Sequence, residues 1–250
     1  MSKSTQKIAF ITGGNRGIGF ETARQLGRLH ILPVIGARSE QAGREAVATL
    51  RGEDIEALSI QFDVTRAADH QKAFDYFESL AGRLDILINN AGIYLEGDPA
   101  SGSPYSAVDV PENILRETME ANFFAPVALT QKLLPLLRKA PAGRIVNLSS
   151  ILGSLTLHRD PTSMIYGARS VAYDASKTVL NAYTVHLAQA LGDSPIKVNS
   201  AHPGWVRTSM GGSTAPMDIV DGAKTSVRLA TLPADGPSGG FYHMADELPW

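Results

Sequence analysis

Apolar residues fall along the chain in two alternating textures. Unbroken runs, KIAFIT (7–12), ILPVIGA (31–37), EALSIQFDV (56–64), LDILINNAG (84–92), GRIVNLSS (143–150) and IKVNSAHPG (196–204), predict six strands, and GGFYHM (239–244) a seventh. Between them the apolar positions recur at helical spacing, as with Ala46, Val47 and Leu50, or Ala73, Phe74, Phe77, Leu80 and Ala81. Segments 17–29 and 172–191 also read as helices, the second ended near Gly192. Pro111 opens a long helix to about Leu137, with a kink expected at Pro126. Strands that are apolar throughout are buried on both faces, which belongs to a parallel sheet covered by helices on each side. The alternation predicts an α/β chain, doubly wound, with residues 1–250 forming a single domain. Residues 97–106 and 209–216, rich in Gly, Ser and Pro, read as surface loops.

Composition narrows the function classes. With 44% hydrophobic and 19% charged residues, the 250-residue chain can bury a sizeable core. A formal net charge of −2 gives no global attraction to nucleic acid or to an anionic membrane. The chain has no cysteine, which excludes disulfides, thiolate nucleophiles and cysteine-bound metals. MSKSTQKIAFITGG lacks a signal-peptide core, and no stretch approaches the roughly 20 apolar residues of a bilayer span, so a cytoplasmic location is the default expectation.

TGGNRGIG, Thr12 to Gly19, joins the first strand to the first helix. Glycines there let the backbone turn sharply and approach a pyrophosphate, whose charge the helix N-terminus attracts. The predicted contacts are Gly13, Asn15, Arg16, Gly17, Ile18 and Gly19. After the second strand, an acidic residue would accept the ribose 2′-hydroxyl of NAD. The chain instead reads Gly36-Ala37-Arg38, and Arg38 with Arg16 would neutralise a 2′-phosphate. NADP(H) is therefore expected in preference to NAD(H).

Further motifs follow in order: Asp63-Val64 after the third strand, Asn89-Asn90-Ala91-Gly92 after the fourth, and Asn122 in the long helix. Ser149-Ser150 end the fifth strand, Tyr173 precedes Lys177 by four residues, and Pro203-Gly204 follow the sixth strand. Together these residues resemble the short-chain dehydrogenase/reductase family in its single-domain form, whose sheet is a Rossmann fold. The resemblance covers nearly the whole chain. The i, i+4 spacing puts an ammonium where it can ease ionisation of a phenol, which otherwise exchanges protons poorly at neutral pH. The resemblance implies that Tyr173 is the acid in carbonyl reduction and the base in alcohol oxidation. Lys177 would lower its pKa and bind the nicotinamide ribose. Ser150, preferred to Ser149, would hold the substrate oxygen, and Asn122 would position a water in a proton relay. It also assigns Asp63 and Val64 to the adenine, Asn89 to the adenosine side, and Ala91 and Gly92 to the path past the pyrophosphate. Pro203, Gly204, Val206 and Thr208 would contact the nicotinamide half.

The segment between Ser150 and Tyr173, with TGGNRGIGFETARQL and GPSGGFY, resembles the carbonyl-reductase branch, which uses NADPH on ketones and aldehydes; many members carry a longer insertion there. Ile151 to Met164, Tyr94 and residues 205–217 would shape the substrate pocket, the last either as a lid or as an ordinary loop. Two decoys stand nearby. Tyr166 has Ser170 rather than a cation at i+4, and His158 lacks the G-x-S-x-G elbow of a serine hydrolase. No metal-ligand spacing is present. The expected activity is reversible reduction of a ketone or aldehyde by NADPH. An NAD-dependent alcohol or hydroxysteroid-type dehydrogenase, or a dinucleotide sensor without turnover, remains the alternative. The expected partner is a small carbonyl or alcohol, with homodimer, homotetramer and monomer all open.

Overall fold

The structure, a computed structural model, describes residues 6–97 and 103–250. The strands are β1 (Ile8–Thr12), β2 (Leu32–Ala37), β3 (Leu58–Gln61), β4 (Ile86–Asn89), β5 (Arg144–Leu148), β6 (Lys197–Ala201), β7 (Phe241–His243) and β8 (Asp246–Glu247). They form one sheet in the order β3-β2-β1-β4-β5-β6-β7-β8. All neighbours are parallel except the β7–β8 pair. The seven predicted strands are present, generally shorter than their apolar runs. β8 is an added two-residue strand, made by the chain doubling back after Met244, whose φ is +52°. An exposed Asp-Glu pair has no apolar signature to announce it.

Helices α1 (Gly17–Arg28), α2 (Glu40–Arg51), α3 (Ala67–Ala81), α4 (Glu112–Met119), α5 (Ala125–Leu137), α6 (Leu155–Arg159), α7 (Val171–Leu191) and α8 (Ile219–Ala230) connect the strands. The apolar strand runs explain the layering. Along β1, Ala9 and Ile11 enter one buried cluster with Ala23, Leu26 and Leu229. Ile8 and Phe10 enter a second with Phe77, Leu129 and Leu133 on the other side of the sheet. Successive side chains of one strand thus feed two cores, which is why the strands could not afford alternating polarity. Helix α8 was not legible as an apolar run. It begins at Asp218, whose side chain accepts a bond from the Asp221 N–H (2.8 Å). No helix among the described residues is long and apolar enough to cross a membrane.

The expected kink in the 111–137 helix takes a specific form. Residues Glu120–Phe124 make a π-helical turn between α4 and α5. Pro126 has no N–H for the carbonyl of Asn122 four residues earlier, and the Ala125 N–H bonds to Glu120, five back. The disturbance is therefore centred on Asn122. The loop expected at 97–106 lies partly outside the described residues. The segment 205–217 is tied internally: Arg207 Nη1 donates to the carbonyls of Ala215 (3.0 Å) and Pro216 (2.8 Å).

Candidate active site

Three strand ends converge above the sheet. At the first, Thr12 Oγ1 accepts bonds from the N–H groups of Asn90 and Ala91, each 3.0 Å. Asn90 Nδ2 returns bonds to the carbonyls of Thr12 (2.8 Å) and Gly13 (3.2 Å). The turn after β1 and the turn after β4 are thereby one unit. Gly13 and Gly17 sit at φ of +63° and +57°, in the left-handed region that favours glycine. A Cβ at Gly19 would lie 2.4 Å from Asn90 Nδ2, whereas above Gly17 the nearest atom is Thr208 Cγ2 at 3.7 Å. A Cβ on Gly17 would meet Thr208 only at ordinary contact distance, and Arg16, the N-cap of α1, makes no side-chain cap bond. A helix N-terminus without a side-chain cap, a left-handed glycine turn and an exposed Arg16 fit a pyrophosphate.

Arg38 is exposed at the tip of β2. Burial pushes the Asp63 carboxyl up, but bonds from Thr65 and the charges of Arg38 and Arg66 outweigh it and hold the group below its ordinary range. Arg38 and Asp63 thus share one rim of the crevice, with Val64 beside them. Asn89 departs from its expected place. Its side chain is 2% exposed and donates from Nδ2 to Thr130 Oγ1 (3.0 Å) and Asn147 Oδ1 (2.8 Å), inside the helix–sheet interface. Alternation along the strand turns Asn89 inward and Asn90 toward the turn. Val206 is buried too, with its side chain against Gly222 of α8. Gly204 has φ of +91°, and a Cβ there would meet Met217 Sδ at 2.7 Å. Thr208 caps its own loop, accepting from the Gly211 N–H at 3.0 Å.

At the end of β5 the two serines part. Ser149 is 2% exposed, and its backbone N–H continues the sheet to the carbonyl of Ala201 (2.8 Å). Ser150 stands beside the Tyr173 phenol, close enough to lower its pKa, and its Oγ accepts the Leu152 N–H (3.2 Å). From one turn further along α7, Lys177 Nζ donates to the carbonyl of Leu148 (2.8 Å) and stands 5.5 Å from the Tyr173 ring centre. Asn122 Oδ1 accepts from the Ile93 N–H (2.8 Å), while its Nδ2 donates to the carbonyl of Ile93 (2.9 Å) and to Ser176 Oγ (3.0 Å). A Cβ on Gly92 would lie 3.3 Å from Asn122 Oδ1 and 3.6 Å from Lys177 Nζ, so the Asn-Asn-Ala-Gly turn reaches α7 directly.

The electrostatics differ from expectation. Burial raises the Tyr173 phenol well above its ordinary value; Ser150 works against this, while the charges of Asp174 and Tyr94 add to it. Burial also pulls the Lys177 ammonium down to about 8. Desolvation is the largest effect at both groups.

The decoys are disposed of by position. Tyr166 is 41% exposed under the guanidinium of Arg169, 5.4 Å from its ring centre. His158 Nε2 meets the carbonyl of Leu152 (2.9 Å) rather than a serine hydroxyl. Sequence reasoning missed Asn90 and Thr12 as the tie between turns and Arg66 beside Asp63. It also missed Ser176, whose only signal was its place three residues beyond Tyr173 on the same helix.

The family described as short chain dehydrogenase matches residues 7–218. This chain belongs to that family. Among curated short-chain dehydrogenases, carbonyl reductase [NADPH] 1 of Bos taurus is 32% identical over 286 residues, covering 99% of each chain. The (+)-neomenthol dehydrogenase of Arabidopsis thaliana is 31% identical, covering 97% of each. The solved salutaridine reductase of Papaver somniferum superposes with a TM-score of 0.81 at 30% identity, over 95% of this chain and 99% of that one. The NADPH-bound carbonyl reductase from chicken fatty liver gives 0.82 at 25% identity, over 98% and 99%. The chain is therefore a short-chain dehydrogenase/reductase of carbonyl-reductase-like type, and its sheet is the Rossmann arrangement of that family.

Proposed function

We propose that the protein reduces a ketone or aldehyde to the alcohol with NADPH, Tyr173 supplying the proton, and that binding and chemistry share one domain. The observation that carries this reading is the gathering of Ser150, Tyr173 and Lys177 beside the glycine turn, with Lys177 Nζ 5.5 Å from the Tyr173 ring centre and 3.6 Å from where a Cβ on Gly92 would lie. A carbonyl oxygen placed between two hydroxyl donors is polarised by both, and the one with a cation behind it gives up its proton. A bound reduced nicotinamide supplies the hydride. The protein's task is to hold the carbonyl, exclude water and deliver a proton as negative charge grows on the oxygen.

Each remaining group takes a role by its place. Ser150 orients the substrate oxygen. Lys177 supports the phenol as it becomes phenolate and is near enough to Gly92 to meet a ribose. Asn122, bonded to the Ile93 backbone and Ser176 beside the π turn, would position a water of the proton relay. Arg16 and Arg38 receive a 2′-phosphate, and the names of the ox and chicken carbonyl reductases point to the same cofactor. The deciding experiment is a panel of ketones and aldehydes followed by loss of NADPH absorbance, with NADH in parallel. NADPH-dependent turnover is expected, and Tyr173→Phe should reduce kcat about 10²–10⁴-fold while NADPH still binds. A wild-type chain that binds NADPH and reduces nothing would leave the sensor reading; a preference for NADH would leave the NAD-dependent one.

A further inference from the structure

We propose that Glu96 is a positioning residue for Tyr173, reaching across from the turn after β4 to pin the backbone of the proton donor. The segment from Ile93 to Glu96 leaves the Asn-Asn-Ala-Gly turn and runs to the first turn of α7. Three of its residues are fastened. Ile93 is held through both its N–H and its carbonyl by Asn122. The Tyr94 hydroxyl meets Ser170 Oγ at 2.8 Å, and its ring stands edge-on to that of Tyr173, 5.4 Å between centres. Glu96 is 1% exposed, and its Oε2 accepts the backbone N–H of Tyr173 at 2.9 Å, from 77 residues away.

The first turn of a helix leaves N–H groups without partners, and a serine at the N-cap ordinarily satisfies one of them. Ser170 occupies that position but makes no side-chain bond to the helix; its hydroxyl is engaged with Tyr94. The N–H of Tyr173, the third helical residue, takes its acceptor from Glu96 instead. Burying a carboxyl costs far more than using a local cap. What the remote acceptor adds is a fixed distance between the cofactor-side turn and the catalytic tyrosine. A charge-assisted bond to the backbone holds the Tyr173 Cα, and the edge contact of Tyr94 holds its ring, so the phenol keeps its reach to Ser150. Charged and titratable groups surround the clamp. Asp174 bonds the Ser170 N–H (3.2 Å), His158 of α6 lies 3.4 Å from Asp174, Arg169 precedes the helix, and Lys177 follows on it.

This inference rests on Tyr173 being the proton donor, and its test separates the two claims. Glu96→Ala, Glu96→Gln and wild type are compared for kcat and KM on a carbonyl the wild type reduces, and for NADPH affinity by fluorescence. Amide hydrogen exchange at Tyr173 is measured on the same three proteins. Glu96→Ala should lower kcat on the order of tenfold or more with NADPH affinity kept within about twofold, as expected of a small misplacement. Exchange at the Tyr173 amide should rise at least about tenfold in that variant. Glu96→Gln keeps an acceptor oxygen and should restore kcat to within about threefold of wild type. If wild type reduces no carbonyl, the proposed function falls and the exchange rates alone decide the clamp. Unchanged kcat and exchange in Glu96→Ala would overturn it, as would equal losses in both variants accompanied by loss of NADPH binding. Should Glu96→Ala not fold, Tyr94→Phe takes its place: a fall in kcat of about threefold or more with NADPH affinity kept supports the clamp, and unchanged kcat overturns it.

Discussion

A phenol packed against protein is a weaker acid than one in water, and Tyr173 is packed on several sides while keeping part of its surface exposed. The ring meets Tyr94, the hydroxyl meets Ser150, and the backbone meets Glu96. The cation that was expected to ease its ionisation is itself desolvated, down to about 8. Lys177 is thus the group whose charge changes within the working range. Its ammonium is present below about pH 8 and is lost above it. Carbonyl reduction should therefore decline on the alkaline side of about pH 8, approaching tenfold per unit in kcat/KM. Lys177→Met should be slower at pH 7 and should lack that limb; a wild-type rate flat from pH 7 to 10 would contradict it. At this scale the chemistry-bearing types were legible, because Ser150, Tyr173, Lys177 and Asn122 stand in a fixed order. Their environment was not. Whether Asn89 or Asn90 faces the crevice turns on one step of strand alternation, and the Glu96 bond depends on a segment 77 residues distant.

At the scale of elements, the periodic segments were readable because burial on one face leaves a mark every third or fourth residue. The interruptions were harder to read. Pro126 announced a kink, but the π turn over Glu120–Phe124 also needs the Ile93 backbone and Ser176 to receive the Asn122 side chain. Short α6 and the Ile151–Gly153 turn carry no period long enough to detect. The amino end of α7 makes a further prediction. Burial, reinforced by the charge of Glu96, raises Asp174 to about 7 from an ordinary 3.8. A carboxyl whose folded value is raised disfavours its ionised form in the fold. The cost is complete above about pH 7 and fades as pH falls toward 3.8. Asp174→Asn keeps an oxygen for the Ser170 N–H and removes that cost. It should raise Tm by about 2–6 °C at pH 8, with a smaller gain at pH 5, as read by calorimetry. Equal gains at both values would show that charge is not the cause.

Across the whole molecule, strand order decides where ligands go. β1 has β2 on one side and β4 on the other, so the connections leave in opposite directions and open a crevice between them. That much follows from alternating strands and helices, and the right-handed crossover rule leaves few other arrangements. Arg38 follows β2 and Ser150 follows β5, three strand steps apart, roughly 14 Å at about 4.8 Å per step. An extended dinucleotide spans such a gap. Arg38→Asp should shift the NADPH:NADH ratio of kcat/KM toward NADH by about tenfold or more, since it replaces a phosphate-binding fork with a like charge. If the ratio does not move, the rim arginines do not read the cofactor.

The spacing between the tips of β2 and β5 has a practical meaning. The residues that would choose the coenzyme stand on one rim, and those that would move the proton stand on another, with two strands between. A lineage, or an engineer, can therefore redirect such a chain from one pool of reducing equivalents to another by editing its edge, leaving the proton chemistry as it was.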